Sequence, residues 1–144
     1  MLHEIDPMRF ALKCFDAWAT RWMLLSSGDF TEGSFNSMTV AWGSLGIMWG
    51  RPFAMVVVRP TRYTYEFMES SDNFTLCLFP PEYEDTLLML GSKSGRDTDK
   101  IAESGLTPVA AAQVSSPCYE EAELVIECRK IYFDDFEPER FLAD

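Results

Sequence analysis

The segment Arg59-Pro60-Thr61-Arg62-Tyr63-Thr64 carries two guanidinium groups and two hydroxyls where an apolar run gives way to a helical pattern. The first N–H groups of a helix have no partner within it and carry partial positive charge. Arg59, Arg62, Thr61 and Thr64 add donors there, and a phosphate would sit well among them. The same residues also suit a plain helix cap flanked by surface arginines. A second segment, Lys93-Ser94-Gly95-Arg96-Asp97-Thr98-Asp99-Lys100, again runs into a helix. Its cations could close over the same anion, although a charged, solvated turn has the same composition. The third segment is Asn36-Ser37-Met38-Thr39-Val40-Ala41-Trp42-Gly43, in which apolar residues alternate with small or hydroxylic ones. Small side chains on one face would let a flat ring lie against the backbone, where exposed N–H groups could bond its polar edge. A barrel strand with a polar outer face reads the same way.

Other chemistries are excluded or weak. The single histidine, His3, stands in a terminal segment, and no Gly-x-Ser-x-Gly elbow is present, so no catalytic triad is expected. Gly91-Ser92-Lys93-Ser94-Gly95-Arg96 has the glycines of a nucleotide phosphate loop. It lacks the Gly-Lys-Ser/Thr ending and follows a helix rather than a strand. Glu66, Glu69 and Asp72 fall on one helix face and read as solvated. Cys14, Cys77, Cys118 and Cys128 form no Cys-x-x-Cys motif, so no metal site is expected; Cys77 and Cys128 read as small core hydrophobes. The net charge of -11 argues against nucleic acid and anionic lipid as partners. Six of the twelve cations nevertheless crowd between residues 51 and 100: Arg51, Arg59, Arg62, Lys93, Arg96 and Lys100. The start lacks the basic and apolar regions of a signal peptide, and the run Phe53 to Val58 is too short to span a bilayer, so a cytoplasmic protein without a membrane partner is expected.

The elements that must position these residues can be read from periodicity. Asp6-Pro7 is expected to open a helix whose face is Ala11, Phe15, Trp18 and Trp22. Strands are expected at 23–27, 35–42 and 74–78. Gly43, Gly46 and Gly50 should make turns, and the continuous run 53–58 should be a central strand buried on both faces. Thr61 should cap a helix running through Tyr63, Phe67 and Met68. Further helices are expected over 82–90, ending at Gly91, and over 97–104, stopped by Gly105. Residues 110–117 read as loop. From 121 to 128, Ala122, Leu124, Ile126 and Cys128 should point inward and Glu121, Glu123 and Glu127 outward; one helical turn should follow Asp134. The 144 residues fit a single domain, 1–144. Five or six strands with short helices between them suggest a closed antiparallel barrel, with a parallel α/β fold as the runner-up.

Taken together, Asn36 to Gly43, Arg59 to Phe67 and Lys93 to Lys100 closely resemble, in sequence, order and spacing, the flavin reductase-like proteins of flavoredoxin type. The resemblance runs from about Trp22 to Phe133. It implies a mainly β fold, an FMN-binding split β-barrel (antiparallel, Greek-key) with short helical insertions, acting as a homodimer with the flavin near the interface. Carried over by position, Asn36, Ser37, Met38 and Thr39 border the isoalloxazine ring. Arg59, Thr61, Arg62 and Thr64 lie at its phosphate or ribityl end, and Lys93, Ser94, Arg96 and Lys100 complete the phosphate site. Trp42 and Trp49 are candidates to reach the ring, with core or interface packing as the alternative. The implied activity is NAD(P)H-dependent flavin reduction, or electron transfer through bound FMN, with no catalytic side chain required. A non-enzymatic FMN carrier or interaction protein is the alternative. Family members usually continue past the position of Asp144 with a strand carrying a His and a Gly-Glu pair. The expectation is therefore a truncated barrel, or one closed with help from a partner.

Overall fold

The computed structural model describes residues 1–143. Its main sheet has four strands in the order β2-β1-β5-β8: β1 is Met23–Asp29, β2 Ser34–Val40, β5 Asn73–Leu78 and β8 Leu124–Arg129. Two ribbons accompany it, β3 (Gly43–Met48) with β4 (Arg51–Val56), and β6 (Pro108–Val109) with β7 (Cys118–Tyr119). Every pairing is antiparallel, which removes the parallel α/β alternative. The strands do not close into one hydrogen-bonded ring; they divide between sheet and ribbons. The helices are short: α1 (Cys14–Asp16, continuing as a π-helical turn Ala17–Arg21), α2 (Tyr63–Ser70), α3 (Glu84–Ser92) and α4 (Lys100–Ser104). Among the described residues, no helix is long and apolar enough to cross a membrane.

The sheet carries a core on each face, as strand alternation requires. Met23, Leu25, Phe74, Leu76, Met38 and Val40 face Trp18, with Leu45 and Ala54 of the ribbon and Met68 of α2 packed around them. Leu24, Cys77 and Phe79 face the other way, toward Leu87 and Leu90 of α3, Leu106 and Tyr119. Burying each such leucine contributes roughly 1.5–3 kcal/mol. Burial pushes the Cys77 and Cys128 thiols up to about 12. Both stay neutral and act as the apolar fillers expected of them. Leu124, Ile126 and Cys128 turn inward as their alternation predicts, and Gly105 ends α4 in the left-handed conformation, φ 73°.

Several expectations fail for identifiable reasons. Asp6 closes only a turn, accepting from the Met8 N–H at 2.9 Å, and the helix begins at Cys14. The π-helical turn adds a residue to the repeat, so Trp18 is buried while Phe15 is 92% exposed. Gly43 and Gly46 lie inside β3 rather than in turns. A Cβ at Gly43 would overlap the Trp18 indole, and Gly46 stands opposite Phe53, whose ring covers it. The run 53–58 is not a central strand. β4 pairs only with β3, and Met55 is exposed. Arg62, not Thr61, holds the cap position of α2, and neither side chain bonds there. Glu66 is paired with Arg96 at 2.6 Å instead of being merely solvated.

Candidate site at the edge of strand β2

Strand β2 is the edge of the main sheet, and both of its faces are covered. Asn36 and Met38 turn toward α2, where the Asn36 amide donates to Thr64 Oγ1 at 2.9 Å. Ser37 and Thr39 turn the other way. Thr39 Oγ1 donates to the Leu87 carbonyl in α3, and Ser37 Oγ lies 2.7 Å from the Tyr119 hydroxyl and 2.6 Å from Ser26 Oγ. Asn36, Ser37 and Met38 are all buried. The small-residue face therefore does not lie open to a flat ring, because α3 and Tyr119 occupy it. What remains available is the outer backbone edge of the strand, which pairs with no other strand.

The two cationic segments meet beyond that edge. Arg62 Nη2 donates to the Gly91 carbonyl at 2.7 Å, joining the head of α2 to the end of α3. Arg96 donates to the Thr61 carbonyl at 3.3 Å, pairs with Glu66, and stacks over the Tyr63 ring at 5.0 Å. Gly95 permits this approach: a Cβ there would lie 2.5 Å from Asn36 Oδ1 and 3.0 Å from the Tyr63 ring. Ser94 Oγ accepts from the Arg96 N–H at 3.2 Å and shapes the loop. Arg59 lies over the Trp42 ring, 5.7 Å from its centroid. Trp42 and Trp49 are 57% and 85% exposed, so neither belongs to the core.

The cations fall into two kinds. Lys93 is paired with Glu103 at 2.5 Å and Arg96 with Glu66. Among the described residues, Arg59, Arg62 and Lys100 have no carboxylate partner. Lys100 is 2% exposed and donates to the carbonyls of Leu90 at 2.8 Å and Lys93 at 3.1 Å. Arg62 and Lys100 thus occupy the carbonyl end of α3, whose dipole favours positive charge. Burial and the Arg59 charge lower the Arg62 pKa; burial and the Arg62 charge lower that of Lys100 to about 8. At the head of α2, the Tyr63 and Thr64 N–H groups meet no acceptor among the described residues. Free N–H groups beside unneutralised cations can hold a compact anion.

Of the twelve residues singled out by sequence, four lie on β2, four in the segment leading into α2 and its first turn, and four in the turn and first residue leading into α4. The sequence reading missed Tyr119, and it included Tyr63 and Gly95 in the cationic segments without giving either a role. Tyr119 belongs to a two-residue strand, too short to show a period. Gly95 stood in both the Gly-x-x-x-Gly spacing and the Lys93 to Lys100 segment, and neither pattern shows that its missing side chain admits Asn36 and Tyr63. Among the described residues, no Cys, His, Asp and Glu cluster could hold a metal.

This fold and site define the class. Residues 16–132 match the flavin reductase like domain, and the chain belongs to that family. Among solved structures it resembles the flavoredoxin of Desulfovibrio vulgaris (Miyazaki F), with 27% identity and a TM-score of 0.73 over 91% of this chain and 69% of that one. The FMN-binding protein from Thermus thermophilus shares 19% identity, with a TM-score of 0.71 over 94% of this chain and 71% of the other. The flavoredoxin from Methanosarcina acetivorans shares 22%, with a TM-score of 0.70 over 94% and 67%. No curated protein matches the sequence.

Proposed function

We propose that this chain binds FMN at the free edge of β2 and works as a flavin reductase-like oxidoreductase, reducing flavin with NAD(P)H or passing electrons through the bound cofactor. The observation that carries the reading is the meeting of the two cationic segments beyond that edge, bonded from Arg62 to Gly91 and from Arg96 to Thr61. Arg59, Arg62 and Lys100 supply charge that no carboxylate neutralises, while Thr61, Thr64, Lys93, Ser94 and Arg96 build the surrounding frame. Asn36, Ser37, Met38 and Thr39 contribute through their backbone, since their side chains are committed to α2, α3 and Tyr119. FMN supplies hydride and electron transfer when bound. The protein's part is to orient the cofactor, offer backbone donors to its polar edge, and limit access by water. No side-chain acid or base is needed for that role, in keeping with the exposed position of His3.

A homodimer is part of the same proposal. Ile47, Met48, Trp49 and Met55 are exposed on the β3–β4 ribbon, which follows directly on Trp42, the residue whose ring Arg59 covers. A second copy covering it would also border the flavin.

Purified protein titrated with FMN should show flavin absorption bands that are perturbed on binding. The double variant Arg59→Ala/Arg62→Ala should keep its fold by circular dichroism and lose at least tenfold in FMN affinity. Retained affinity in that variant sinks the assignment of the arginines. Bleaching of the flavin by NADH or NADPH at catalytic rates separates a reductase from a non-enzymatic carrier.

A further inference from the structure

Lys100 is the most deeply buried cation of the site, and its surroundings lack negative charge. Its ammonium meets two neutral carbonyls, Leu90 and Lys93. From the head of α2, Arg62 adds a second positive charge, itself fastened to the adjacent Gly91 carbonyl. Of the acidic groups on and before its own helix, Asp99 and Glu103 are engaged elsewhere, and Asp97 forms no ion pair with Lys100. The Asp99 carboxylate accepts from the Ala102 N–H at 3.1 Å, and Glu103 is held by Lys93 and Thr98. Glu66, on α2, is taken by Arg96. The carbonyl end of α3 is the one feature that favours a charge here.

We propose that Lys100 is a proton-linked positioning residue: a phosphate monoester entering beside Arg62 provides the missing negative charge, and its binding loads a proton onto Lys100. The inference rests on the FMN reading above and adds to it a regulation of affinity by pH. In the flavin-free protein, burial and the Arg62 charge bring the Lys100 pKa down to about 8. A dianion nearby favours the charged amine and raises that pKa again. The sign follows from linkage. Below pH 8 the amine is already charged and binding moves no proton. Above pH 8 the free protein has lost a proton that the complex keeps, so affinity falls as pH rises. The phosphate, with a second pKa of about 6, stays a dianion throughout this range. The protonated amine also ties the Lys93 carbonyl to the end of α3. The cationic loop is therefore braced in the state that binds.

FMN affinity of the full chain, measured by fluorescence quenching between pH 7 and pH 9, should weaken about tenfold across that interval. Calorimetry at pH 8.5 in buffers of different ionisation enthalpy should show net proton uptake. Riboflavin, which lacks the phosphate, should show neither effect. Lys100→Met should bind FMN more weakly at pH 7 and with little pH dependence, and Lys100→Arg should keep the affinity and lose the pH dependence. Wild-type affinity that is flat from pH 7 to pH 9, without proton uptake, overturns the proposal even if Lys100→Met fails to fold. Absence of FMN binding at pH 7 in the wild type would instead defeat the FMN reading itself.

Discussion

Strands β4 and β5 are six residues each and both are rich in apolar side chains, yet they end in opposite surroundings. β5 alternates Phe74, Leu76 and Leu78 with Thr75 and Cys77, a pattern that reads as one-sided. It is nonetheless buried throughout, because β1 and β8 flank it and each face of the sheet carries its own core. The polar member is accommodated locally, with Thr75 Oγ1 donating to the Pro117 carbonyl. The run 53–58 reads as a strand buried on both sides. The β4 part of it pairs with β3 alone and leaves Met55 in solvent, opposite Ser44 of its partner strand. Composition states how much apolar area a strand offers, and the neighbours decide whether it is used. When a strand offers more apolar surface than its own chain covers, the surplus is free for a partner, which is the place the proposed homodimer would use.

The sharpest way to test that contrast is to truncate one residue in each strand. Leu76→Ala should cost about 2–5 kcal/mol in denaturant unfolding, the range for a buried leucine whose site cannot collapse. Met55→Ala should cost less than about 1 kcal/mol in dilute solution, as exposed substitutions do. It should instead weaken self-association in sedimentation experiments. Equal losses of monomer stability in the two variants would show that the ribbon is packed within one protomer and would break the comparison.

A smaller effect is expected where β2 meets Tyr119. Tyr119→Phe removes one member of the buried hydroxyl chain and leaves Ser26 and Ser37 bonded to each other. The cost should be about 0.5–1.5 kcal/mol, since no hydroxyl is orphaned. If β2 is the edge that receives the flavin, the variant should also shift the visible spectrum of bound FMN. A stability loss above about 3 kcal/mol would mean that the ring has repacked as well.

Tyr119 also shows where the sequence falls silent. Strands β2, β5 and β8 were legible because alternation over six or seven residues leaves a clear period. The two cationic segments were legible because Arg, Lys, Gly and hydroxyl residues cluster where helices begin. Their meeting beyond β2 depends on pairs distant in sequence, such as Asn36 with Thr64 and Arg62 with Gly91, and no local pattern encodes those. A two-residue strand has no period at all. Gly43 looked like a turn because a glycine that admits the Trp18 ring is indistinguishable, in sequence, from one that bends the chain.

The smallest predicted effect lies at the tip of the β3–β4 ribbon. Met48 pairs with Arg51, which leaves Trp49 and Gly50 as a two-residue loop with φ values of 50° and 70°. Positive φ at both positions is the geometry that Asn-Gly satisfies best, and a bulky residue there is disfavoured. The ring is 85% exposed, so packing within the protomer offers no compensation. Trp49→Asn should therefore stabilise the isolated protomer by about 0.5–1 kcal/mol. It should loosen the dimer if the ring is held at the tip for a second copy. Higher thermal stability at low concentration together with weaker self-association would place the value of Trp49 outside its own protomer. A loss of protomer stability would mean instead that the indole is anchored within it, and the ribbon would then resemble β5 more than its exposure suggests.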